Sequence, residues 1–216
     1  DAAGNASSLT LTTFVVDTTA PTISAVTQVV TPSNDTTPSY VFTTNEAGTI
    51  TTNIAQGFST SASAANGNNT VTFNTLPEGT YADKTVTVTD AAGNASSLTL
   101  TTFIIDTTAP TISAVTQVVT PSNDTTPSYV FTTNEAGTIT TNIAQGFSTS
   151  ASAANGNNTV TFNTLPEGTY ADKTVTVTDA AGNASSLTLT TFIVDTTAPT
   201  ISAVTQVVTP STDTTP

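Results

Sequence analysis

Hydrophobic and polar residues alternate along much of the chain. The segments TVTVT at 85–89 and TVTF at 70–73 place valine or phenylalanine at every second position, with threonine between them. A period of two predicts β-strands with one buried face and one solvent-exposed face. No segment shows the 3.6-residue period of an amphipathic helix, so the pattern predicts an all-β protein.

Clusters of Gly, Pro, Asn and Asp divide the alternating segments into short strands, at the spacing of about 8–12 residues that is typical of a β-sandwich. Thr101 and Thr102 interrupt the alternation near the end of one repeat, which predicts a β-bulge there. The seven predicted strands are 22–30, 39–44, 49–54, a weak Ser- and Ala-rich strand between 57 and 66, 70–76, a strand that ends with 85–89, and 98–105.

The whole pattern repeats with a period of 89 residues. The motif DAAGNASSLTLTTF begins at Asp1, Asp90 and Asp179, and the motif DTTAPTISAVTQVVTPS begins 89 residues apart at 17, 106 and 195. A period of this length is that of an independently folding domain and not of a solenoid unit of about 20–50 residues. Overlapping copies differ only at Val15/Ile104/Ile193, Val16/Ile105/Val194 and Asn34/Asn123/Thr212.

Domain boundaries are predicted at the DTTAP motif, because its proline fixes φ and favours an extended conformation for the preceding alanine. The predicted organisation is a C-terminal strand of a preceding truncated repeat (1–16), two complete domains (17–105 and 106–194) and an N-terminal strand of a following truncated repeat (195–216). The two end pieces together are shorter than one repeat. We therefore expect the chain to be a segment of a longer continuous array.

Charge and composition narrow the functional classes. The 216 residues include 15 acidic side chains and two lysines, which gives a net charge of −13. This charge repels nucleic acid phosphates and anionic lipid head groups but attracts cations. No apolar run approaches the roughly 20 residues of a membrane-spanning helix. We therefore expect neither nucleic acid binding nor membrane insertion in this segment.

The chain offers little for catalysis, and we expect it not to be an enzyme. Because His and Cys are absent, the common general bases and nucleophile pairs are unavailable, as are disulfides and thiolate metal sites. A carboxylate pair such as Glu46 and Asp90 could imitate a glycosidase site. However, Trp is absent and the other aromatic residues fall mostly in strand patterns, so no aromatic platform for a sugar is evident.

Five short motifs occur in the same order in both complete repeats: DTTAP, NDTTP, NEAGTIT, LPEGTY and TVTDAAGN. Together they resemble the bacterial immunoglobulin-like domains that are repeated in large surface adhesins and biofilm proteins. The resemblance covers both complete repeats and both end pieces. It implies tandem seven-stranded immunoglobulin-like β-sandwiches, secretion to the cell surface or the extracellular matrix, and use as a spacer or adhesive stalk. Many members of this family bind calcium at or near domain junctions.

The sandwich topology predicts a cluster of acidic and amide side chains at one pole of each repeat, where the first strand starts and two turns meet. Carboxylate and amide oxygens suit Ca²⁺, whereas Mg²⁺ demands a tighter octahedral geometry. Asp35 or Glu78, at the opposite pole of the preceding repeat, could add a ligand. The alternative is that these residues are turn formers that bind their own backbone. The predicted metal ligands are Asp17, Glu46, Asp90, Asn94, Asp106, Glu135, Asp179 and Asn183.

Two tyrosines lend themselves to structural rather than functional predictions. Tyr81 follows the turn that contains Pro77, which predicts a tyrosine corner with its hydroxyl bonded back to the main chain. Tyr40 begins an apolar run, so the pattern does not decide which face of its strand is buried.

The sequence therefore predicts a structural extender, that is, a stalk, spacer or fibre segment of a giant extracellular adhesin or biofilm matrix protein, with calcium-stiffened junctions. Its expected partners are the neighbouring identical repeats. A ligand-binding adhesin module is an alternative, for which Phe58 and Phe147 beside glycine turns are the best candidates for an exposed apolar patch. A filament of laterally packed copies is another, because identical repeats would repeat any weak lateral contact.

Overall fold

The structure, a computed structural model, describes residues 1–202 together with residues 210, 212 and 214. The described residues contain β-strands and no helix, and the chain folds into two compact units, one built mainly from the first complete repeat and one mainly from the second. The predicted all-β fold class, with sandwich repeats in tandem, is confirmed.

Each repeat contains nine strands. In the first repeat they are β1 (Ile23–Thr27), β2 (Ser39–Thr44), β3 (Gly48–Thr52), β4 (Ser63–Ala64), β5 (Gly67–Thr72), β6 (Gly79–Tyr81), β7 (Thr85–Thr89), β8 (Ala95–Thr99) and β9 (Phe103–Ile105). In the second they are β10 (Ile112–Thr116), β11 (Ser128–Thr133), β12 (Gly137–Thr141), β13 (Ser152–Ala153), β14 (Gly156–Thr161), β15 (Gly168–Tyr170), β16 (Thr174–Thr178), β17 (Ala184–Thr188) and β18 (Phe192–Val194).

The strands of the first repeat form one sheet in the order β1-β2-β5, a second in the order β4-β3-β7-β8, and a two-stranded sheet of β6 and β9. Neighbouring strands are antiparallel, and the second repeat has the same topology. The alternation of the sequence places one side of each main sheet inward, which fills the space between the sheets with apolar side chains.

The structure has nine strands per repeat where the sequence pattern predicts seven. The predicted last strand is divided into β8, which pairs with β7, and β9, which pairs with β6 in another sheet. The expected bulge at Thr101 and Thr102 is therefore a switch between sheets. The segment before residues 85–89 also forms a strand of its own, β6, and Asp83 between β6 and β7 has a left-handed φ of 52°. A bulge does occur in β1, between Ala25 and Thr27.

The core of each repeat is built from the inward positions of both main sheets. In the first repeat its largest fully buried side chains are Tyr40, Phe42, Phe73, Phe103, Leu76 and Ile105. Every second residue of β2 is buried, starting with Tyr40, which settles the face that the apolar run left undecided.

The chain enters each sandwich at one pole and leaves it at the other. In the first repeat, Ile23 at the start of β1 lies opposite Thr44 at the end of β2. From the turn after β7, β8 and β9 run away from that pole, and Ile105 at the end of β9 lies opposite Gly79 and bridges Ser33. The predicted meeting of the first strand with the turns after β2 and β7 is thus confirmed.

The end pieces do not form the predicted strands among the described residues. Residues 1–16 contain no strand, and Leu9, Leu11 and Phe14 are more than 75% exposed. The same sequence forms β8 and β9 in the first repeat because β7 and β6 are there to pair with it. Residues 195–202 also contain no strand, and 203–209 of the predicted following strand lie outside the described residues. The assignment of both pieces to truncated repeats stays a prediction.

Candidate metal centre

The turn after β7 is built around the carboxylate of Asp90. Its Oδ1 accepts hydrogen bonds from the backbone amides of Ala92 and Asn94, both at 2.8 Å, and the Asp90 amide donates to the Asn94 carbonyl at 3.0 Å. The side chain is 9% exposed. The bond from the Asn94 side chain and those from the backbone amides hold the pKa of Asp90 below its ordinary value, against the opposing effect of burial. Asp90 is therefore ionised at neutral pH.

Asn94 ties this turn to the segment that enters the repeat. Its Nδ2 donates to Asp90 Oδ2 at 2.8 Å and to the main-chain carbonyl of Asp17 at 3.2 Å. An amide nitrogen cannot ligate a cation, so only Asn94 Oδ1 could act as a ligand. The geometry makes Asn94 a residue that positions Asp17 and Asp90. The prediction that it also binds metal depends on that oxygen.

Asp17 and Glu46 complete the cluster. Glu46 lies in the turn after β2, where its carbonyl accepts a hydrogen bond from the hydroxyl of the buried Thr44 at 3.1 Å. One carboxylate oxygen each from Asp17, Glu46 and Asp90 lie within 4.8 Å of one another. The structure therefore brings together three residues that span 73 positions of the chain, from Asp17 to Asp90, as the assumed topology predicts.

The second repeat has the same cluster, in which oxygens of Asp106, Glu135 and Asp179 lie within 4.8 Å of one another. Asn183 Nδ2 donates to Asp179 Oδ2 and to the Asp106 carbonyl, both at 2.9 Å. Burial would raise the pKa of Asp179, but the bonds from Asn183 and the backbone amides of residues 181–183 outweigh it and leave the pKa below its ordinary value. Two copies with one geometry show that the arrangement is a property of the repeat sequence.

Part of this geometry is a local property of the DAAGN motif. At the start of the chain, where no sandwich surrounds it, Asp1 Oδ1 still accepts the amides of Ala3 and Asn5 at 2.9 Å, and Asn5 Nδ2 donates to Asp1 Oδ2 at 3.0 Å. The Asp–Asn pair is thus a turn former, as the alternative interpretation holds. What the sandwich adds is the approach of Asp17 and Glu46 to this turn.

The donor set of the cluster fits a hard cation. Three carboxylates at close range repel one another, and a bound cation would relieve this repulsion. Calcium accepts carboxylates in one- or two-oxygen contact and completes its six to eight ligands with carbonyls or water. The carboxylate oxygens of the cluster are therefore donors of the kind that Ca²⁺ accepts.

The two residues considered as extra ligands have other partners. Asp35 Oδ1 accepts the amide of Thr37 at 2.8 Å and its hydroxyl at 3.1 Å, so it caps its own turn. Glu78 Oε2 accepts the hydroxyls of Thr107 and Thr108 at 2.9 and 2.8 Å. The Glu78 contact cannot be predicted from the sequence, because nothing near Glu78 in the chain links it to a residue 29 positions later.

The predicted aromatic roles can also be compared with the structure. The tyrosine corner is confirmed: the Tyr81 hydroxyl donates to the Pro77 carbonyl at 2.8 Å, and its ring stacks on Phe103 with centroids 4.9 Å apart. Phe58, proposed as part of an exposed apolar patch, is half-buried and packs against the core, with a bridge to Phe73. Phe147 packs in the same way in the second repeat, with a bridge to Phe162, so neither candidate of the ligand-binding alternative forms an exposed apolar patch.

A family model described as bacterial Ig-like domain matches residues 21–107 and 111–196. The chain belongs to the bacterial Ig-like domain family. The suspected resemblance is thereby confirmed for both complete repeats. No curated protein sequence matches the chain significantly.

Family membership supports some general statements about these bacterial Ig-like domains. Such domains are typical of bacterial surface proteins, usually occur in extracellular or surface proteins, and are generally non-enzymatic. The described residues include no helix of the length and hydrophobicity required to cross a bilayer.

Proposed function

We propose that this chain is an extender segment of a bacterial surface protein, in which each Ig-like repeat adds length between an anchor and a distal functional part. The observation that carries the proposal is the path of the chain, which enters each sandwich at one pole and leaves it at the opposite pole. Joining such units in series adds reach without requiring distinct surfaces. The usual occurrence of these domains in extracellular or surface proteins supports a use outside the cell.

The length added by one repeat can be estimated from the structure. Residues 95–105 run from one pole to the other, and at about 3.3 Å per residue they span about 35 Å. With the linker, each added repeat should extend the chain by about 35–45 Å. Near-identical repeats fit this role, because reach depends on the number of repeats and not on their individual surfaces.

Small-angle X-ray scattering of the chain and of a version with one further copy of residues 106–194 tests this proposal. The increase in maximum dimension should be about 35–45 Å, and comparing the two lengths removes the contribution of the end pieces. An increase of only a few ångströms would mean that the repeats pack side by side, and it would overturn the extender proposal. Concentration-dependent association in sedimentation would instead favour a filament of lateral copies.

The proposal includes calcium at the two carboxylate clusters. Binding of Ca²⁺ to Asp17, Glu46 and Asp90 would hold the entering segment against two turns, and the same holds for the second repeat. A ligand that binds only the ordered cluster stabilises the fold by about 2.7 kcal/mol when its concentration is 100 times the Kd. The array would then be stiffer and more stable at extracellular calcium concentrations than in chelator.

Calorimetric titration with CaCl₂ and thermal melting in CaCl₂ or EDTA test the calcium proposal. Glu46→Gln removes one cluster charge and should weaken calcium binding to the first repeat at least tenfold. Asp83→Asn is the matched control, since it removes the same charge from an exposed loop whose left-handed backbone suits Asn. Equal melting temperatures in CaCl₂ and EDTA, with no heat of binding, would mean that the acids are turn residues only.

A further inference from the structure

The linker after the first repeat is held by a carboxylate of that repeat. Glu78 lies in the turn immediately before β6. Its Oε2 accepts the Thr107 amide at 3.3 Å, the Thr107 hydroxyl at 2.9 Å and the Thr108 hydroxyl at 2.8 Å. These three bonds fix two linker residues that the sequence alone does not assign to either repeat.

The same contact forms after the second repeat. Glu167 Oε2 accepts the Thr196 amide at 3.2 Å and the hydroxyls of Thr196 and Thr197, both at 2.8 Å. There the following residues, 198–202, form no strand. The contact therefore does not require a folded repeat after it, and it is a property of the repeat that the linker leaves.

Neighbouring backbone bonds extend this attachment. The Asp106 amide donates to the Ser33 carbonyl at 3.0 Å, and the Thr108 amide donates to Asp106 Oδ1 at 3.1 Å. The hydrogen bonds from Thr108 and Thr107 also hold the pKa of Glu78 below its ordinary value, as expected for a carboxylate that is bonded in its charged form. Thr107 and Thr108 thus continue the structure of the first repeat, whereas Asp106 bonds to Ser33 through its amide and to Asn183 through its carbonyl.

The other side of the linker is held by the repeat that it enters. The Thr111 amide donates to Asn134 Oδ1 at 2.7 Å, and the Asn134 amide donates to the Thr111 carbonyl at 3.2 Å. Pro110 is buried, and its counterpart Pro21 is buried as well although no folded repeat precedes it. The burial of this proline therefore comes from the repeat that follows it.

We propose that Glu78 is a linker clamp that holds Thr107 and Thr108 to the repeat that they leave, so that these two residues add no free torsions to the linker. The proline fixes its own φ and restricts Ala109 to extended conformations. The clamp is independent of metal. Only its mechanical use rests on the proposed extender function.

Pulsed electron–electron distance measurements on the full chain test the clamp. The chain has no native Cys, so Thr70→Cys and Thr159→Cys place one spin label on an exposed strand position of each repeat. All measurements are made in EDTA, so that the result is separate from the calcium proposal. In the chain without further substitution we expect one narrow distance distribution.

Glu78→Ala should broaden this distribution, and the double variant Thr107→Val/Thr108→Val should broaden it in the same way while leaving Glu78 in place. Glu167→Ala is the matched control, because it removes the same contact after the second repeat and should leave the distribution unchanged. Melting curves confirm that each variant is folded. A distribution of unchanged width in Glu78→Ala and in the threonine variant overturns the clamp. Equal broadening in Glu167→Ala also overturns it, because the effect would not be local to the joint.

Discussion

Replacing Tyr40 or Tyr81 by Phe should change the free energy of unfolding in opposite directions. The Tyr40 hydroxyl is fully buried and has no hydrogen-bond partner among the described residues, whereas the Tyr81 hydroxyl donates to the Pro77 carbonyl. Burial raises the pKa of both side chains, so each is neutral and retains its proton at ordinary pH. Replacement by Phe removes an unsatisfied group at the first site and a hydrogen bond at the second.

The expected magnitudes follow from these two environments. An unsatisfied buried hydroxyl destabilises the fold by about 1–3 kcal/mol. Removing the Tyr40 oxygen leaves a void of roughly 15 Å³, which offsets only about 0.4 kcal/mol of the stability gained. Tyr40→Phe should therefore stabilise its repeat by about 1–2 kcal/mol. Tyr81→Phe should destabilise it by about 0.5–1.5 kcal/mol, the net value of one hydrogen bond.

Thermal and urea unfolding of the full chain measure the difference. Each substitution is made in both repeats, with Tyr129→Phe and Tyr170→Phe as the second members, so that the two repeats remain matched. A gap of about 2 kcal/mol between the pairs corresponds to about 8–16 °C in melting temperature for a domain of this size. If Tyr40→Phe destabilises the chain as much as Tyr81→Phe, the buried hydroxyl has a partner such as a bound water molecule, and the reasoning is refuted.

Three further predictions concern the clamp, a crowded glycine and the core. Hydrogen bonds from the linker hydroxyls lower the pKa of Glu78. The clamp should therefore be complete above about pH 4.3, the ordinary pKa of Glu, and should be lost as the pH falls through the lowered pKa. A carboxyl NMR titration should show the pKa of Glu78 return to its ordinary value in Thr107→Val/Thr108→Val. Gly48→Ala places a Cβ 2.6 Å from the Thr89 carbonyl oxygen, so it should cost about 1–3 kcal/mol in urea unfolding. The two complete repeats differ only at the buried pair Ile105 and Val194, so the second repeat should be less stable by about 0.5–1.5 kcal/mol, and exchanging the two residues should reverse the order of unfolding in differential calorimetry.

Most of the fold could be predicted because the strands depend on local alternation. The segments at 39–44 and 85–89 coincide with β2 and β7, in which every second residue is buried. The division of the last strand could not be predicted in the same way. Leu98 and Leu100 face inward with a period of two, so Thr102 would be the next inward residue. Phe103 is buried in its place, which shows that the alternation shifts by one residue. This shift can be seen in the local sequence. The exchange of the paired strand, from β7 for β8 to β6 for β9, depends on strands elsewhere in the chain.

The carboxylate cluster could be predicted because the topology of a sandwich determines which turns share a pole. Once the first strand is assigned to the pole of the turns after β2 and β7, the approach of Asp17, Glu46 and Asp90 follows without knowledge of side-chain positions. The role of Asn94 could not be predicted, because an amide offers both a donor and an acceptor and only its neighbours decide which end faces the cluster. Binding of calcium itself depends on the affinity of these oxygens, which the spacing of residues does not determine.

The composition of the linker does not determine which repeat holds each of its residues. Pro and Thr in DTTAP indicate a stiff connection, but they say nothing about which repeat holds each residue. The partners that decide this lie far away in sequence: Glu78 precedes Thr107 by 29 residues, and Asn134 follows Thr111 by 23. Because the repeat recurs, every linker of this sequence brings the same two partners with it. Each 89-residue unit therefore carries the side chains that hold the linker residues on both of its sides.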